Sequence, residues 1–78
     1  MFSRKILLNT IDDVKKLCDI VTKFCFSIDL VSGRYVVDAK SIVGIFSLDL
    51  SKEIEIQAHT EDEAAANELF ELLNFVIR

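Results

Sequence analysis

The chain of 78 residues contains no proline, two glycines, two cysteines and one histidine, and these shortages exclude several kinds of site. Cys18 and Cys25 do not form a CxxC pair and His59 is the sole imidazole, so neither a disulfide scaffold nor a metal site is predicted. The sequence also shows no Cys–His pairing, no catalytic pair of carboxylates and no glycine-rich phosphate loop. We therefore expect a protein that is not an enzyme and uses no cofactor or metal. Both cysteines are interpreted as small apolar residues at or near the core, and His59 as a partly exposed strand residue.

Long apolar runs are missing as well. The uninterrupted apolar segments are a few residues long, whereas a membrane-spanning helix needs about 18–20 residues. The N-terminal segment MFSRKILL has no secretory h-region. These features predict a soluble, untargeted protein without a membrane contact, and its few reduced cysteines suit the cytoplasm.

Positive charge is scarce in the last part of the chain. Residues 49–78 hold eight acidic side chains and two basic ones, within a formal net charge of −4 for the whole chain. A protein that binds the phosphate backbone of nucleic acids normally clusters lysine and arginine on one face. The sequence therefore argues against nucleic acid as a partner.

The pattern of apolar residues predicts seven secondary-structure elements in one domain spanning residues 1–78. Capping residues, alternation with a period of two and helical spacing mark the elements, since no proline does. The predicted elements are a strand over 2–8, a helix over 11–23, hairpin strands over 26–30 and 34–38, a short helix from residue 41, a strand over 53–58 and a helix from residue 60 to the chain end. This β-α-β-β-α-β-α order favours an α+β two-layer domain with helices on one face of an antiparallel sheet.

Local motifs refine three of these elements. The first helix is predicted to bury an apolar stripe that begins at Ile11, and Ser32-Gly33 is predicted to form a two-residue hairpin turn. Thr60, followed three residues later by Glu63, has the capping-box pattern with Thr60 as the N-cap of the last helix. The predicted buried face of that helix consists of Ala65, Ala66, Leu69, Phe70, Leu72, Leu73, Val76 and Ile77.

The segment KSIVGIFSL, residues 40–48, places a glycine inside an apolar run, where a helix would lose about 0.5–1 kcal/mol relative to alanine. Ser41 is predicted to be the N-cap of a short helix, with Gly44 in its first turn, where the missing side chain would let another backbone or a partner surface come close. The plainer alternative is a capping serine and a packing glycine with no role beyond folding. Ile45 and Leu48 are interpreted as core residues.

The motif Lys40-Ser41-Ile42-x-Gly44-x-x-Ser47-Leu48 resembles the regulatory-serine segment of HPr, the histidine-containing phosphocarrier of the bacterial sugar phosphotransferase system. The resemblance extends over nearly the whole chain and includes the Ser32-Gly33 hairpin, the alternating strand over 53–58 and the acidic start of the last helix. It implies an open-faced sandwich in which a four-stranded antiparallel sheet carries three helices on one side.

The resemblance fails at the catalytic segment, where HPr proteins carry a phosphoacceptor histidine followed by Ala-Arg-Pro. The matching residues here are Thr10-Ile11-Asp12-Asp13, with Thr10 at the histidine position and Asp12 at the arginine position. Phosphohistidine chemistry needs an imidazole nucleophile and a nearby cation. The sequence therefore predicts that carrier chemistry is absent and that no residue is catalytic.

Two hypotheses from different classes remain. The first is a regulatory protein similar to catabolite-repression HPr. In this hypothesis a serine kinase phosphorylates Ser41, and a transcription regulator or another phosphotransferase-system protein binds Ile42, Val43 and Phe46. The plainer interpretation is that these three side chains are ordinary core residues. The second is a constitutive structural or interaction domain in which Ser41 is only a cap. A phosphocarrier that uses another residue is the weakest alternative, and no oligomeric state is indicated.

Overall fold

The computed structural model of the protein describes residues 1–77. Its seven elements follow the predicted order. They are β1 (Phe2–Ile6), α1 (Ile11–Val21), β2 (Ser27–Ser32), β3 (Tyr35–Asp38), α2 (Ile42–Phe46), β4 (Ile54–His59) and α3 (Glu63–Leu72). Most predicted bounds differ from these by one to three residues.

The four strands form one antiparallel sheet in the order β1-β4-β2-β3. In β2 and β4 alternate residues face the helices and are buried, whereas their neighbours face away from the helices; β1 adds one buried residue. The buried inner-face residues are Ile6, Ile28, Leu30, Ile54, Ile56 and Ala58. The α+β open-faced sandwich predicted from the sequence is confirmed.

Each helix contributes to the same hydrophobic core through residues at helical spacing. The buried residues are Val14, Leu17 and Val21 of α1, Ile45 of α2, and Ala66, Leu69 and Phe70 of α3. Because α2 has a single fully buried side chain, most of its surface is left to solvent. None of the helices within residues 1–77 is long and apolar enough to cross a membrane.

The hairpin turn lies one residue later than predicted. Ser32 pairs with Tyr35, so the two-residue loop is Gly33-Arg34 rather than Ser32-Gly33. Gly33 has φ +60°, and no non-glycine residue has a positive φ within residues 1–77. A positive φ at the first loop position alone is the signature of a type II′ turn, which places glycine there because L side chains are strained.

The predicted cap and end of the last helix are both wrong. Asp62, not Thr60, is the N-cap, and its Oδ1 accepts from the Ala65 amide at 3.2 Å. The Thr60 hydroxyl instead accepts from the Asp62 amide at 3.1 Å, which orders the turn before the helix. The helix ends at Leu72.

The segment after α3 returns to the sheet. Val76 O accepts from the Leu7 amide at 2.9 Å, and Ile77 forms an isolated antiparallel bridge with Ile6. Val76 is buried although it lies beyond the helix. The apolar periodicity therefore predicted its burial correctly while extending the helix too far.

Candidate functional site

Ser41 is the N-cap of α2 and is exposed to solvent. Its backbone is extended, with φ −104° and ψ 106°, and its Oγ accepts from the Gly44 amide at 3.3 Å. The first turn of α2 contains no acidic residue. The N-cap role and the exposure of Ser41 are as predicted. The N-terminus of α2, the positive end of the helix dipole, has no carboxylate in its own first turn.

Three apolar side chains of α2, which we call the α2 patch, are exposed beside Ser41. Ile42, Val43 and Phe46 have exposed fractions of 36%, 78% and 45%, while Ile45 and Leu48 lie in the core. The predicted division of this segment into core and surface is therefore confirmed. That the patch binds a partner stays a prediction.

Gly44 is not required by a close contact within the chain. An added Cβ would lie 3.4 Å from Val37 Cβ and 3.5 Å from Ser41 Oγ, which are ordinary van der Waals distances. The close approach of another backbone is therefore wrong within residues 1–77, and the close approach of a partner surface stays a prediction. Alanine would fit here and would favour the helix more than glycine does.

The loop before Ser41 is held by hydrogen bonds from both sides. Asp38 O accepts from the Ser41 amide at 3.0 Å, and Asp38 Oδ1 accepts from the Lys40 amide at 2.9 Å. Lys40 Nζ donates to Phe24 O at 2.8 Å, so its ammonium is directed to the loop after α1. Ser41 therefore follows an ordered loop whose one lysine, Lys40, is hydrogen-bonded to Phe24 O.

Cys18 lies beneath this loop. Its Sγ contacts Lys40 O at 3.6 Å, and the side chain is packed against the core. Burial, followed by the carboxylates of Asp19 and Asp38, raises the pKa of the Cys18 thiol. This thiol is therefore less reactive than a free cysteine. The other cysteine, Cys25, is exposed, so its predicted place in the core or at the core edge is wrong.

The N-terminus of α1 is capped by nearby side chains. Thr10 Oγ1 accepts from the Asp13 amide at 3.1 Å, and Asp13 Oδ2 accepts from the Asn9 amide at 3.0 Å. Asp12 and Asp13 both lie in the first turn. A phosphoryl group at this helix end would therefore meet two carboxylates, which repel it. Ile11 is mostly exposed, contrary to its predicted place in the buried stripe.

His59 lies at the other end of the sheet from Thr10. Because β1 and β4 are antiparallel and Ile6 pairs with Ile54, the end of β1 that leads to Thr10 adjoins the start of β4. His59 ends β4 five residues later, about 17 Å along the strand. Its Nε2 is 2.8 Å from Asp29 Oδ2, a partner that sequence reasoning missed because the pairing of β2 with β4 was not known. His59 therefore does not replace a histidine at the start of α1.

The comparisons with known proteins agree with this architecture. The family model described as PTS HPr component phosphorylation site matches residues 13–76. The match begins at Asp13 and so leaves out Thr10, Ile11 and Asp12. The comparison with curated protein sequences gives no match.

Solved structures of HPr-type proteins superpose on most of the chain. The chain is similar to HPr-C-His from Thermoanaerobacter tengcongensis, with 26% identity, a TM-score of 0.76 and coverage of 95% of this chain and 92% of that one. The phosphocarrier protein HPr from Bacillus anthracis str. Ames shares the fold, with 21% identity, a TM-score of 0.71 and coverage of 96% and 95%. The catabolite repression protein Crh from Bacillus subtilis is 27% identical, with a TM-score of 0.64 and coverage of 91% and 84%. Because the family model spans well over half of the residues and the fold agrees, the chain belongs to the HPr family of the phosphotransferase system.

Proposed function

We propose that this protein is a regulatory member of the HPr family that works in the cytoplasm. It binds a protein partner through the α2 patch, and phosphorylation of Ser41 controls that binding. The kinase, by the resemblance of the segment around Ser41, is an ATP-dependent serine kinase. The partner is a transcription regulator or another phosphotransferase-system protein.

The observation that carries this proposal is the exposed Ser41 hydroxyl directly beside the exposed α2 patch. Large apolar side chains grouped on a small surface commonly mark a site of protein contact. A modification at Ser41 would therefore act at the edge of that contact. The N-terminus of α1, in contrast, is occupied by Asp12 and Asp13.

Phosphorylation would change the charge of this surface and not its fold. A phosphoserine adds about −1.5 to −2 charges. The first turn of α2 holds no carboxylate, and the Asp38 carboxylate before it accepts from the Lys40 amide. Lys40 Nζ is held on Phe24 O, and we propose that a cation of the partner pairs with the phosphate. Arginine would suit this role because its guanidinium binds phosphate in a forked geometry.

The similarity to Crh supports a regulatory role over a carrier role. That protein is described as a catabolite repression protein and as a domain-swapped, intertwined dimer. We propose the regulatory role for this chain and do not extend the dimer to it.

A constitutive interaction domain is the second candidate, and one observation favours it. Ser41 Oγ already accepts from the Gly44 amide, so the serine has a structural use without phosphate. The α2 patch would then bind its partner at all times. A phosphocarrier that uses another residue is the weakest candidate, because His59 is the sole histidine and lies at the opposite end of the sheet from the start of α1.

Photo-crosslinking in the host cell tests the proposal. A photoreactive amino acid replaces Val43, whose exposed fraction is 78%, and a matched control carries it at Lys52, whose side chain is 77% exposed. We expect one protein to be crosslinked from position 43 and not from position 52. The regulatory proposal further requires that Ser41→Ala changes the yield of this crosslink, whereas an unchanged yield supports the constitutive domain. The absence of a specific crosslink at position 43 would refute both the regulatory protein and the constitutive domain.

A further inference from the structure

A second groove lies away from Ser41, between the loop after α1 and one face of α3. Phe24 and Phe26 form the loop wall, Ala65 and Leu72 form the helix wall, and Asp62 and Glu68 stand at the rim. Its volume is about 460 Å³, within the range of about 300–1,000 Å³ typical of binding pockets. We call this feature the α3 groove.

The apolar walls of the α3 groove are only partly covered by the protein itself. The rings of Phe24 and Phe26 have centroids 5.5 Å apart and an interplanar angle of 55°, so they form a tilted aromatic pair that is half-buried. Leu72 has an exposed fraction of 48%, whereas Leu69 and Leu73 are completely buried. A single exposed leucine is ordinary, but here it faces a groove with two aromatic rings.

The helix wall follows helical spacing. Asp62, Ala65, Glu68 and Leu72 are separated by three, three and four residues, so they lie along one face of α3. This face is adjacent to the buried stripe of the same helix and carries an apolar residue at its end. The α3 groove therefore continues along the helix for about three turns.

The helix wall of the α3 groove carries only negative charge. Residues 61–72 contain five carboxylates and no basic side chain. Within residues 1–77 the ion pairs are Asp49–Lys52 and Asp29–His59, so neither Asp62 nor Glu68 is paired with a base. The opposite wall includes the cation Lys23, and the Lys40 ammonium donates to Phe24 O of the same loop, so positive charge lies on the loop side and negative charge on the helix side. A ligand that complements this surface is therefore apolar at its centre and positively charged at its flanks.

We propose that the α3 groove binds a basic segment of a protein partner, with an apolar side chain of that segment inserted between Phe24, Phe26 and Leu72. Lysine or arginine residues on either side of this anchor pair with Asp62 and Glu68. A small cation would use only the rim, and an uncharged apolar ligand would use only the walls. A basic protein segment with an apolar anchor uses both.

A phage-displayed library of random peptides, selected on the full chain, tests this proposal. We expect the enriched peptides to carry a leucine, phenylalanine or other large apolar residue flanked by lysine or arginine. Synthetic copies of these peptides are then titrated against the chain by fluorescence anisotropy. Their affinity should fall as the salt concentration is raised above about 0.15 M, because the rim charges are exposed.

Two pairs of variants identify the groove as the binding site. Leu72→Ser should weaken the peptides about tenfold, as expected for the loss of an apolar anchor, while Val36→Ser on the exposed side of β3 should change the affinity less than about twofold. Glu68→Lys should weaken them about fivefold. Glu71→Lys makes the same charge change on the same helix outside the α3 groove, and its effect should stay below about twofold.

Any of three results overturns the proposal. They are a library that yields no enriched peptide, enriched peptides without basic residues, and peptides that bind Leu72→Ser or Glu68→Lys as tightly as the unmutated chain. Thermal unfolding of each variant shows whether it is folded before titration. The four changed side chains are all on the surface, so we expect them to leave the fold intact.

Discussion

Restoring the residues of a phosphocarrier at the start of α1 should restore carrier activity in a defined order. Thr10→His supplies an imidazole at the helix N-terminus but leaves Asp12 and Asp13 in the first turn. It also removes the N-cap, in which the Asp13 amide donates to Thr10 Oγ1, and this should lower the free energy of unfolding by about 1 kcal/mol. We therefore expect the single variant to accept little phosphate.

Adding Asp12→Arg should raise phosphoryl acceptance about tenfold. Two unit charges about 6 Å apart in water interact by about 0.7 kcal/mol. Reversing one charge beside a phosphoryl group of about −2 changes this interaction by roughly 2.8 kcal/mol, and physiological salt reduces the change to about 1.3 kcal/mol. That free energy corresponds to about a tenfold change in an equilibrium constant.

The assay is the transfer of labelled phosphate from phosphoenolpyruvate through the general phosphotransferase enzyme. The matched control combines Thr10→His with Asp19→Arg, which makes the same charge change on an exposed residue near the other end of α1. Equal labelling of the two double variants would refute the reasoning that the charge of Asp12 opposes the phosphate. The unmutated protein should not be labelled.

Three further predictions concern stability, measured by chemical denaturation. Gly44→Ala should raise the free energy of unfolding by about 0.5–1 kcal/mol because a Cβ fits there. Gly33→Ala should lower the free energy of unfolding by about 1–2 kcal/mol because φ is +60° at Gly33. If Gly44→Ala is destabilised instead, the glycine is needed for packing. Ser41→Asp should change the free energy of unfolding by less than about 0.5 kcal/mol, since aspartate caps a helix as well as serine does. A loss of stability above about 2 kcal/mol, beyond the cost of a lost cap, would contradict the claim that the fold tolerates a phosphate on Ser41. Ile45→Ala should destabilise by about 2–5 kcal/mol and Val43→Ala by less than about 0.5 kcal/mol, and equal losses would contradict the assignment of core and surface in α2.

The element order was predictable because apolar periodicity and capping residues agree along most of the chain. The errors arose where local motifs compete. Thr60 and Asp62 are both good N-caps two residues apart, and the sequence does not show which hydroxyl or carboxylate meets the helix. Periodicity also extended the predicted helix past Leu72, because Val76 is buried in the core although the chain there is no longer helical.

The candidate site was predictable in part. The cap formed by Ser41 and the exposure of the α2 patch follow from a short apolar helix that can bury one face only. The α3 groove was not predicted, because its walls come from segments far apart in the sequence that meet through the fold. Leu72 was assigned to the buried stripe, since the hydrophobic pattern does not distinguish a stripe that is covered from one at its edge.

Site-mapped phosphorylation of the protein isolated from its own host tests the regulatory role most directly. The intact mass is measured after growth in rich and in poor sugar, and peptides locate the modification; Ser47→Ala serves as the matched control because Ser47 is an exposed serine at the other end of α2. We predict one acid-stable phosphoryl group on Ser41, lost in Ser41→Ala and retained in Ser47→Ala. An unmodified chain under both conditions, or acid-labile phosphate on the unmutated protein, would contradict the account.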